Sequence, residues 1–105
     1  MRQGQTIDAG DQRVGSALRE ARLAASLTQQ ELATRLGWSP DTLANYETGR
    51  RGLRAAQIAE VARALNLPAA ALLLDVPQAT AVLRRLGNDP ERWSQVALFL
   101  DALDH

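Results

Sequence analysis

Three arginines in one short stretch, Arg50, Arg51 and Arg54, form the basic cluster of the chain. The planar guanidinium group of arginine can donate paired hydrogen bonds to phosphate oxygens, so the cluster could bind a phosphate-bearing partner. A run of charge is more often a solvated face, and the residue types alone leave that alternative open. The secondary structure on either side of the cluster is therefore needed to distinguish phosphate binding from a solvated face.

Side chains suited to catalysis are scarce in this sequence. The chain has no Cys, and its single His is His105 at the C-terminus. Thiol nucleophiles, thiolate metal sites and Ser/His/Asp relays each need one of these residue types. The sequence also has no Lys and no Gly-rich phosphate loop. We therefore expect a protein that is not an enzyme, with no catalytic residue, no metal site and no cofactor.

Length and composition favour one small helical domain, with room for an appendage. The chain has 105 residues, of which 46% are hydrophobic and 23% are charged, and these are ordinary values for a globular protein. Aromatic residues make up only 4%, so Leu and Ala, which favour helices, carry most of the apolar mass. The composition therefore predicts an all-α fold.

The charge of the chain is balanced overall but unevenly distributed. The 12 basic and 12 acidic residues give a net charge of zero, which by itself argues against a nucleic-acid partner. Residues 1–63 contain nine Arg and seven acids, whereas the remainder contains three Arg and five acids. The first part of the chain is therefore the more basic, although only mildly.

Neither a membrane span nor a signal peptide is evident. The longest apolar stretch, Leu67–Leu74, is far shorter than the roughly 20 residues that a bilayer crossing needs. The first residues, Met1–Gly4, lack the apolar core of a signal peptide. We expect a cytoplasmic protein with no membrane partner.

Hydrophobic spacing divides the chain into seven predicted helices. Residues 1–13 lack apolar periodicity and predict a flexible arm. Beyond them, apolar residues recur at helical spacing between breaks that contain Gly or Pro. The fifth helix is wholly apolar, which predicts that it is buried. The predicted helices span residues 14–25, 29–36, 40–47, 54–65, 68–74, 78–86 and 91–103.

Capping residues mark the second and third helices most clearly. Thr28 and Glu31 have the spacing of a capping box at the start of the second helix. Gly37 follows the end of that helix, where a left-handed backbone closes a helix at little cost. Ser39 is then a good N-cap for the third helix, and Pro40 suits its first position. The sequence therefore predicts two short helices joined by a tight turn.

This pair of helices has the arrangement of a helix-turn-helix. The longer pattern comprises Leu27–Ala33, Gly37, Leu43, Tyr46–Arg50 and Ile58–Leu65. In these residues the sequence resembles the Xre/Cro-like repressors of bacteria and phages over residues 14–74. The resemblance implies a five-helix, lambda-repressor-like DNA-binding fold in residues 14–76, with a two-helix extension in residues 77–105. The chain departs from the family at Ser26, where Gly is usual, which leaves the geometry of that loop open.

The resemblance implies that the third helix lies in the major groove of double-stranded DNA. Leu43 points inward, and Asn45 takes a base-reading position whose amide can bond to adenine, with phosphate or water contact as the alternative. Asp41 is expected to cap its own helix or, less favoured, to accept from cytosine N4, and Thr42 could meet a thymine methyl. The base-reading candidates are Pro40, Asp41, Thr42, Ala44 and Asn45.

The resemblance also implies phosphate contacts on either side of the third helix. Gln29 begins the second helix, where the family anchors a phosphate, and a solvated helix start is the alternative. The basic cluster follows the third helix, where the loop of the family meets the DNA backbone. Tyr46 could either bind phosphate or pack on the first helix. The phosphate-contact candidates are Gln29, Tyr46, Arg50, Arg51 and Arg54.

Other matching residues are implied to be structural. Arg22 and Glu47 match a pair that forms a partly buried salt bridge between the first and third helices in the family. Ala33 is small where the second and third helices must approach closely, and Gly37 permits the positive φ of the turn. We expect none of these four residues to contact DNA.

The last predicted helix has a wider apolar surface than a small monomer easily buries. Its stripe predicts a dimerisation surface, because repressors of this fold use two DNA-reading helices about 34 Å apart. The alternative is that this helix packs on the fourth and fifth helices as core. The dimerisation candidates are Trp93, Val96, Leu100 and Leu103.

Two functions follow from these expectations. The first is a homodimeric, sequence-specific repressor that is associated with the nucleoid. The second is an interaction module, such as an antitoxin, whose C-terminal helices bind a protein antagonist or toxin, with DNA binding reserved for autoregulation or lost.

Overall fold

In a computed structural model of the chain, residues 7–104 are described, and every regular element in that range is an α-helix. The predicted all-α fold is therefore confirmed. No helix in the described range is long and apolar enough to cross a membrane. The helices are α1 (Ala9–Ala24), α2 (Gln29–Leu36), α3 (Pro40–Thr48), α4 (Ala55–Ala64), α5 (Ala70–Leu73), α6 (Pro77–Leu86) and α7 (Pro90–Leu103).

The first helix begins earlier than its hydrophobic pattern predicts. Residues 9–13, expected to belong to a flexible arm, are helical, and residues 1–6 of that arm lie outside the described range. The reason is a local cap, since the carboxylate of Asp8 accepts a hydrogen bond of 3.0 Å from the N–H of Asp11. An exposed first turn can be held by such a cap and needs no apolar periodicity.

The predicted caps of α2 and α3 are present. Thr28 and Glu31 exchange side-chain to backbone hydrogen bonds of 2.9 and 3.0 Å, which completes the capping box. Gly37 ends α2 with a φ of 73° in the left-handed region. The hydroxyl oxygen of Ser39 accepts from the N–H of Thr42 at 3.1 Å, and Pro40 occupies the first position of α3. These caps confirm the short helix–turn–helix that the sequence predicts.

The first five helices share one hydrophobic core. Its fully buried side chains come from α1, α2, α3, α4 and α5 and are Leu18, Leu32, Leu43, Val61 and Leu72. Helices α1 and α3 approach each other closely at Gly15, where a Cβ would overlap the carbonyl oxygen of Tyr46 and lie 2.8 Å from that of Glu47. Only glycine permits this contact, which fixes α3 against α1.

The fifth helix is shorter and less buried than predicted. It spans four residues, and only Ala71 and Leu72 lie in the core, whereas Leu73 and Leu74 are exposed. The prediction of a wholly buried segment is therefore wrong at its C-terminal end. One turn of helix can present only part of its circumference to the core, so the next two leucines face outward. The guanidinium of Arg13 donates to the carbonyl oxygen of Leu73 at 2.8 Å and so ties α5 to α1.

The last helix extends away from this core, whereas α6 lies against its edge, where Leu83 packs on the core and the guanidinium of Arg84 lies 3.6 Å from the carboxylate of Glu20 in α1. Neither α6 nor α7 contains a buried residue within the described range, and the molecule measures 63 × 29 × 21 Å. The alternative in which the last helix packs on α4 and α5 as core is therefore wrong. The indole N–H of Trp93 donates to the carbonyl oxygen of Gly87 at 2.8 Å and anchors the start of α7 to the turn after α6.

Candidate nucleic-acid interface

The position of α3 is set by its inward-facing residues. Leu43, Tyr46 and Glu47 are buried against α1 and α2, so the opposite side of this short helix faces solvent. The turn before α3 is held by a hydrogen bond of 2.9 Å from the N–H of Trp38 to the carbonyl oxygen of Ala33. Consequently α3 presents one face to any partner outside the protein.

The five base-reading candidates lie on or beside that outward face. Pro40 and Asp41 are exposed, while Thr42, Ala44 and Asn45 are half-buried. The N-cap of α3 is Ser39, so the expected capping role of Asp41 is not observed. The carboxylate of Asp41 instead lies in the exposed first turn of the helix. The hydroxyl group of Ser39 also donates to the hydroxyl oxygen of Thr42 at 2.9 Å, which orients that side chain.

A buried ion pair joins α1 to the end of α3. The guanidinium of Arg22 donates to both carboxylate oxygens of Glu47, at 2.6 and 3.0 Å, and both side chains are nearly inaccessible to solvent. A third N–H of Arg22 donates to the carbonyl oxygen of Leu27 at 2.8 Å. The structure thus contains the predicted pair with a two-pronged geometry, which fixes orientation as well as distance.

Gln29 is tied to the same ion pair. Its side-chain amide donates to Oε1 of Glu47 at 2.9 Å, so the amide is held in place and is not simply solvated. An amide nitrogen carries two hydrogens, and the bond to Glu47 uses one of them. The backbone N–H of Gln29 also lies in the first turn of α2, where N–H groups have no partner within the helix. Gln29 therefore presents donors at a helix N-terminus, a geometry suited to an anion.

Tyr46 belongs to the core and not to the solvent-facing surface. Its side chain is 2% exposed, its ring lies 5.2 Å from that of Trp38, and its hydroxyl oxygen accepts from the amide of Gln57 at 2.9 Å. This burial argues against the predicted phosphate contact of Tyr46, and the packing observed is on Trp38 and Gln57, whereas the alternative placed it on the first helix. The guanidinium of Arg51 lies 5.0 Å from the ring centre, so Tyr46 instead supports a residue of the basic cluster.

Gln57 is a structural residue that the sequence analysis missed. Its amide oxygen accepts from the backbone N–H of Arg54 at 2.9 Å, while its amide nitrogen donates to Tyr46. It thereby connects the start of α4 to α3 across the loop of the basic cluster. A signal was present, since a glutamine three residues after an N-cap is half of a capping box, although Arg54 takes the place of the usual Ser or Thr.

The basic cluster lies in the exposed loop between α3 and α4. Arg50, Arg51 and Arg54 are all exposed, and the backbone N–H of Arg51 donates to the carbonyl oxygen of Asn45 at 3.2 Å. The loop starts at Gly49, whose φ is 82° and whose Cβ, if present, would lie 2.7 Å from the Cα of Gln12. The loop is therefore folded back on α1, which holds the arginines beside the end of α3.

The same helices match a known domain family. A sequence model described as a helix-turn-helix domain matches residues 13–74, the segment from α1 to the residue after α5. The chain belongs to the helix-turn-helix domain family. This membership confirms the resemblance found in the sequence, and it confirms that the segment is a helix-turn-helix module and not an enzyme.

Relatives of this helix-turn-helix chain include regulators. The chain is 38% identical over 63 residues to an uncharacterized transcriptional regulator in the ATPase CF(0) region of Rhodospirillum rubrum. That match covers 60% of this chain and 58% of the relative, so the chain corresponds to only part of the relative's length.

Two solved structures of regulatory proteins are similar to the structure of this chain. The clp gene regulator ClgR from Corynebacterium glutamicum superposes with a TM-score of 0.61 at 30% identity, covering 67% of this chain and 90% of that one. The restriction-modification controller protein C.AhdI from Aeromonas hydrophila superposes with a TM-score of 0.59 at 31% identity, covering 62% and 98%. Both similarities support the fold derived above.

Proposed function

We propose that the chain is a sequence-specific transcriptional regulator that binds double-stranded DNA as a homodimer and represses by occluding a promoter. The observation that carries the proposal is the solvent-facing side of α3, held in place from behind by the buried Arg22–Glu47 pair. Membership of the helix-turn-helix domain family and the names of the regulators similar to it support the same function.

In this proposal α3 reads base edges in the major groove. A groove about 12 Å wide admits a helix, and the outward side of α3 carries an amide, a hydroxyl and a methyl group at Asn45, Thr42 and Ala44. Asn45 bonds to adenine, Thr42 packs on a thymine methyl, and Asp41 accepts from cytosine N4 now that Ser39 provides the cap. Pro40 and Ala44 complete the surface that faces the bases.

Phosphate groups are held on both sides of α3. Gln29 supplies a side-chain amide and a backbone N–H at the start of α2, and Glu47 fixes the orientation of the amide. On the other side, Arg50, Arg51 and Arg54 supply positive charge from an exposed loop. Contacts of this kind set the register of the protein on DNA but carry no sequence information of their own.

Dimerisation assigns a role to the helical extension in residues 77–105. One short helix contacts few base pairs, and two such helices about one DNA turn apart give the specificity that a regulator needs. The apolar stripe of α7, including Val96, Leu100 and Leu103, supports pairing with a second copy. In this proposal residues 14–76 bind DNA and residues 77–105 dimerise.

The test is binding of the purified protein to fragmented genomic DNA at two salt concentrations. We expect enrichment of a palindromic motif with half-sites about one turn apart, because base contacts select sequence. Asn45→Ala should weaken the preference at one position of each half-site by about 1–3 kcal/mol and leave the salt dependence unchanged. Arg50→Ala should weaken binding to all sequences and lower the slope of log K against log salt by about one per subunit.

The two variants serve as controls for each other. Salt-sensitive binding without any enriched motif would contradict base reading by α3, and no binding at all would contradict the proposal as a whole. Loss of the salt dependence in Asn45→Ala would contradict the division between base and phosphate contacts.

A protein-binding module is the second candidate, favoured by the exposed apolar residues of α7. In that case α7 binds a protein such as a toxin, and DNA binding serves autoregulation or has been lost. A toxin-like reading frame next to this gene, whose product forms a one-to-one complex with the chain, would support this candidate over the homodimer.

A further inference from the structure

The two helices of the extension enclose an open groove between them. The groove has a volume of about 630 Å³, and Val82, Leu86, Val96 and Phe99 provide its apolar lining. Arg85 and Arg92 also line it, and no acidic side chain does so within the described range. The groove therefore offers an apolar floor with a positively charged side.

The C-terminal half of α7 has the complementary chemistry. Leu100 and Leu103 are 52% and 65% exposed, which is unusual for two leucines one turn apart. From residue 97 to the C-cap, residue 104, the chain has two acidic residues, Asp101 and Asp104, and no basic residue. This segment is therefore an apolar helix end with a negative charge.

We infer that this segment of a second copy occupies the groove, so that the two α7 helices pair in antiparallel orientation. The inference rests on the homodimer proposed above and adds its geometry. Charge decides the orientation. Antiparallel pairing about the apolar stripe brings Asp104 of one copy to Arg92 of the other, and it opposes the helix dipoles. Parallel pairing would place the acidic ends side by side.

The spacing of the apolar stripe agrees with antiparallel pairing. Trp93, Val96, Leu100 and Leu103 are separated by three, four and three residues, which is symmetric about residue 98. A twofold axis near that residue places Trp93 opposite Leu103 of the second copy and Val96 opposite Leu100. The same register places Arg92 opposite Asp104.

The existing partners of the two arginines do not prevent this pairing. Arg92 lies 3.7 Å from the carboxylate of Asp89, and it also donates to the carbonyl oxygen of Arg85. The ion pair with Asp89 is exposed on both sides and therefore weak, so the guanidinium can turn to a second acid. Arg85 has no acidic partner among the described residues.

Charge reversal in the full-length chain tests the orientation by sedimentation equilibrium. Arg92→Glu should weaken self-association about three- to tenfold, because each dimer contains the Arg92–Asp104 pair twice. Arg92→Glu combined with Asp104→Arg should restore the wild-type Kd to within about twofold. The matched control is Asp89→Asn, which removes only the local partner of Arg92, keeps a helix-capping side chain and should leave the Kd unchanged. An unchanged Kd in Arg92→Glu, or a double variant that associates no more tightly than Arg92→Glu alone, would overturn the inference.

Disulfide trapping gives an independent answer, because the chain contains no Cys. A mixture of Trp93→Cys and Leu103→Cys chains should cross-link on oxidation, since the two positions face each other across the twofold axis. Leu103→Cys alone should not cross-link to itself. Self-linkage of Leu103→Cys, or absence of the mixed product from a dimer, overturns the antiparallel geometry and leaves the homodimer standing. A wild-type chain that sediments as a monomer at tens of micromolar overturns both the antiparallel geometry and the homodimer.

Discussion

At the scale of single residues, the buried pair Arg22–Glu47 decides where α3 can lie. The pair links α1 to α3, and through Gln29 it also reaches the start of α2. A buried ion pair adds little net stability, but the loss of one partner leaves an uncompensated charge in the interior. Its contribution is therefore to the orientation of the helix-turn-helix.

Substitution of Arg22 should be severely destabilising. Arg22→Met keeps the apolar stem but leaves the carboxylate of Glu47 buried without its cation, so the free energy of unfolding should fall by about 3–5 kcal/mol. Urea denaturation followed by circular dichroism measures the change. The control is Arg35→Met in the last turn of α2, where an exposed arginine is replaced and less than about 0.5 kcal/mol should be lost. An equal loss of the free energy of unfolding in the two variants would show that the buried pair contributes no more to stability than an exposed arginine does.

The backbone conformation of Ser26, where the sequence departs from the resembled family, is also a property of a single residue. Ser26 adopts a φ of 59°, the left-handed conformation that glycine favours. The loop between α1 and α2 thus places a side chain in a conformation that glycine adopts at less cost. Ser26 therefore adds local strain to this loop.

At the scale of elements, the helix-turn-helix depends on caps as much as on the core. The core of α2 consists of Leu32 and Ala33, so a helix of eight residues has little buried surface to hold it. The capping box at its start satisfies the backbone N–H of Glu31 and that of Thr28. The stability of such a short helix should therefore depend on conditions that change the hydrogen bonds of its cap.

Acid should weaken the start of α2 through Glu31. The hydrogen bond from the backbone N–H of Thr28, followed by the bond with the Thr28 side chain, holds the pKa of Glu31 below its ordinary value. Because the folded-state pKa is the lower one, its contribution to stability is complete above the ordinary pKa and is lost as the pH falls through the folded-state value. Thermal unfolding between pH 7 and pH 3 measures this loss.

Glu31→Gln is the matched variant for this prediction, since glutamine keeps an acceptor for the cap but does not titrate. The difference in Tm between the wild type and Glu31→Gln should shrink as the pH falls toward 3. A difference that is constant over the whole range would mean that Glu31 makes no pH-dependent contribution.

At the scale of the whole molecule, the chain has a packed module and a projecting extension. The five helices from α1 to α5 supply the buried core, Leu83 of α6 packs against its edge, and neither α6 nor α7 buries a residue in the described structure. Large apolar side chains left exposed on a helix commonly mark an interaction surface. Stability and assembly should therefore be separable by substitution.

Leu100→Asp should produce a monomer that remains folded. The substitution puts a charge into the centre of the apolar stripe, far from the core of the module, so sedimentation should show one subunit and circular dichroism an unchanged helix content. Affinity for a palindromic site should fall at least tenfold, because each half-site then binds alone. The control is Ser94→Asp, which adds the same charge to α7 away from the stripe and should remain dimeric. Unfolding of Leu100→Asp would mean that the extension is part of the core.

The local elements of the site were predictable because their causes are local. Thr28, Gly37 and Ser39 act on their own helix ends, and the structure has each in its predicted role. The pairing of Arg22 with Glu47 followed from the resemblance, and the distances agree with it. The prediction for residues 9–13 was wrong because one cap, Asp8, outweighed a lack of apolar periodicity.

What the sequence by itself determined is the helix-turn-helix: the helices, their caps and the side chains available to face outward. Tertiary structure alone decided which of those side chains are free to act. Burial removed Tyr46 from the surface, and Gln57 became a link between α3 and the loop of the basic cluster. The physical reason is that capping and helical spacing are set within a few residues, whereas exposure depends on which distant helix packs against each face.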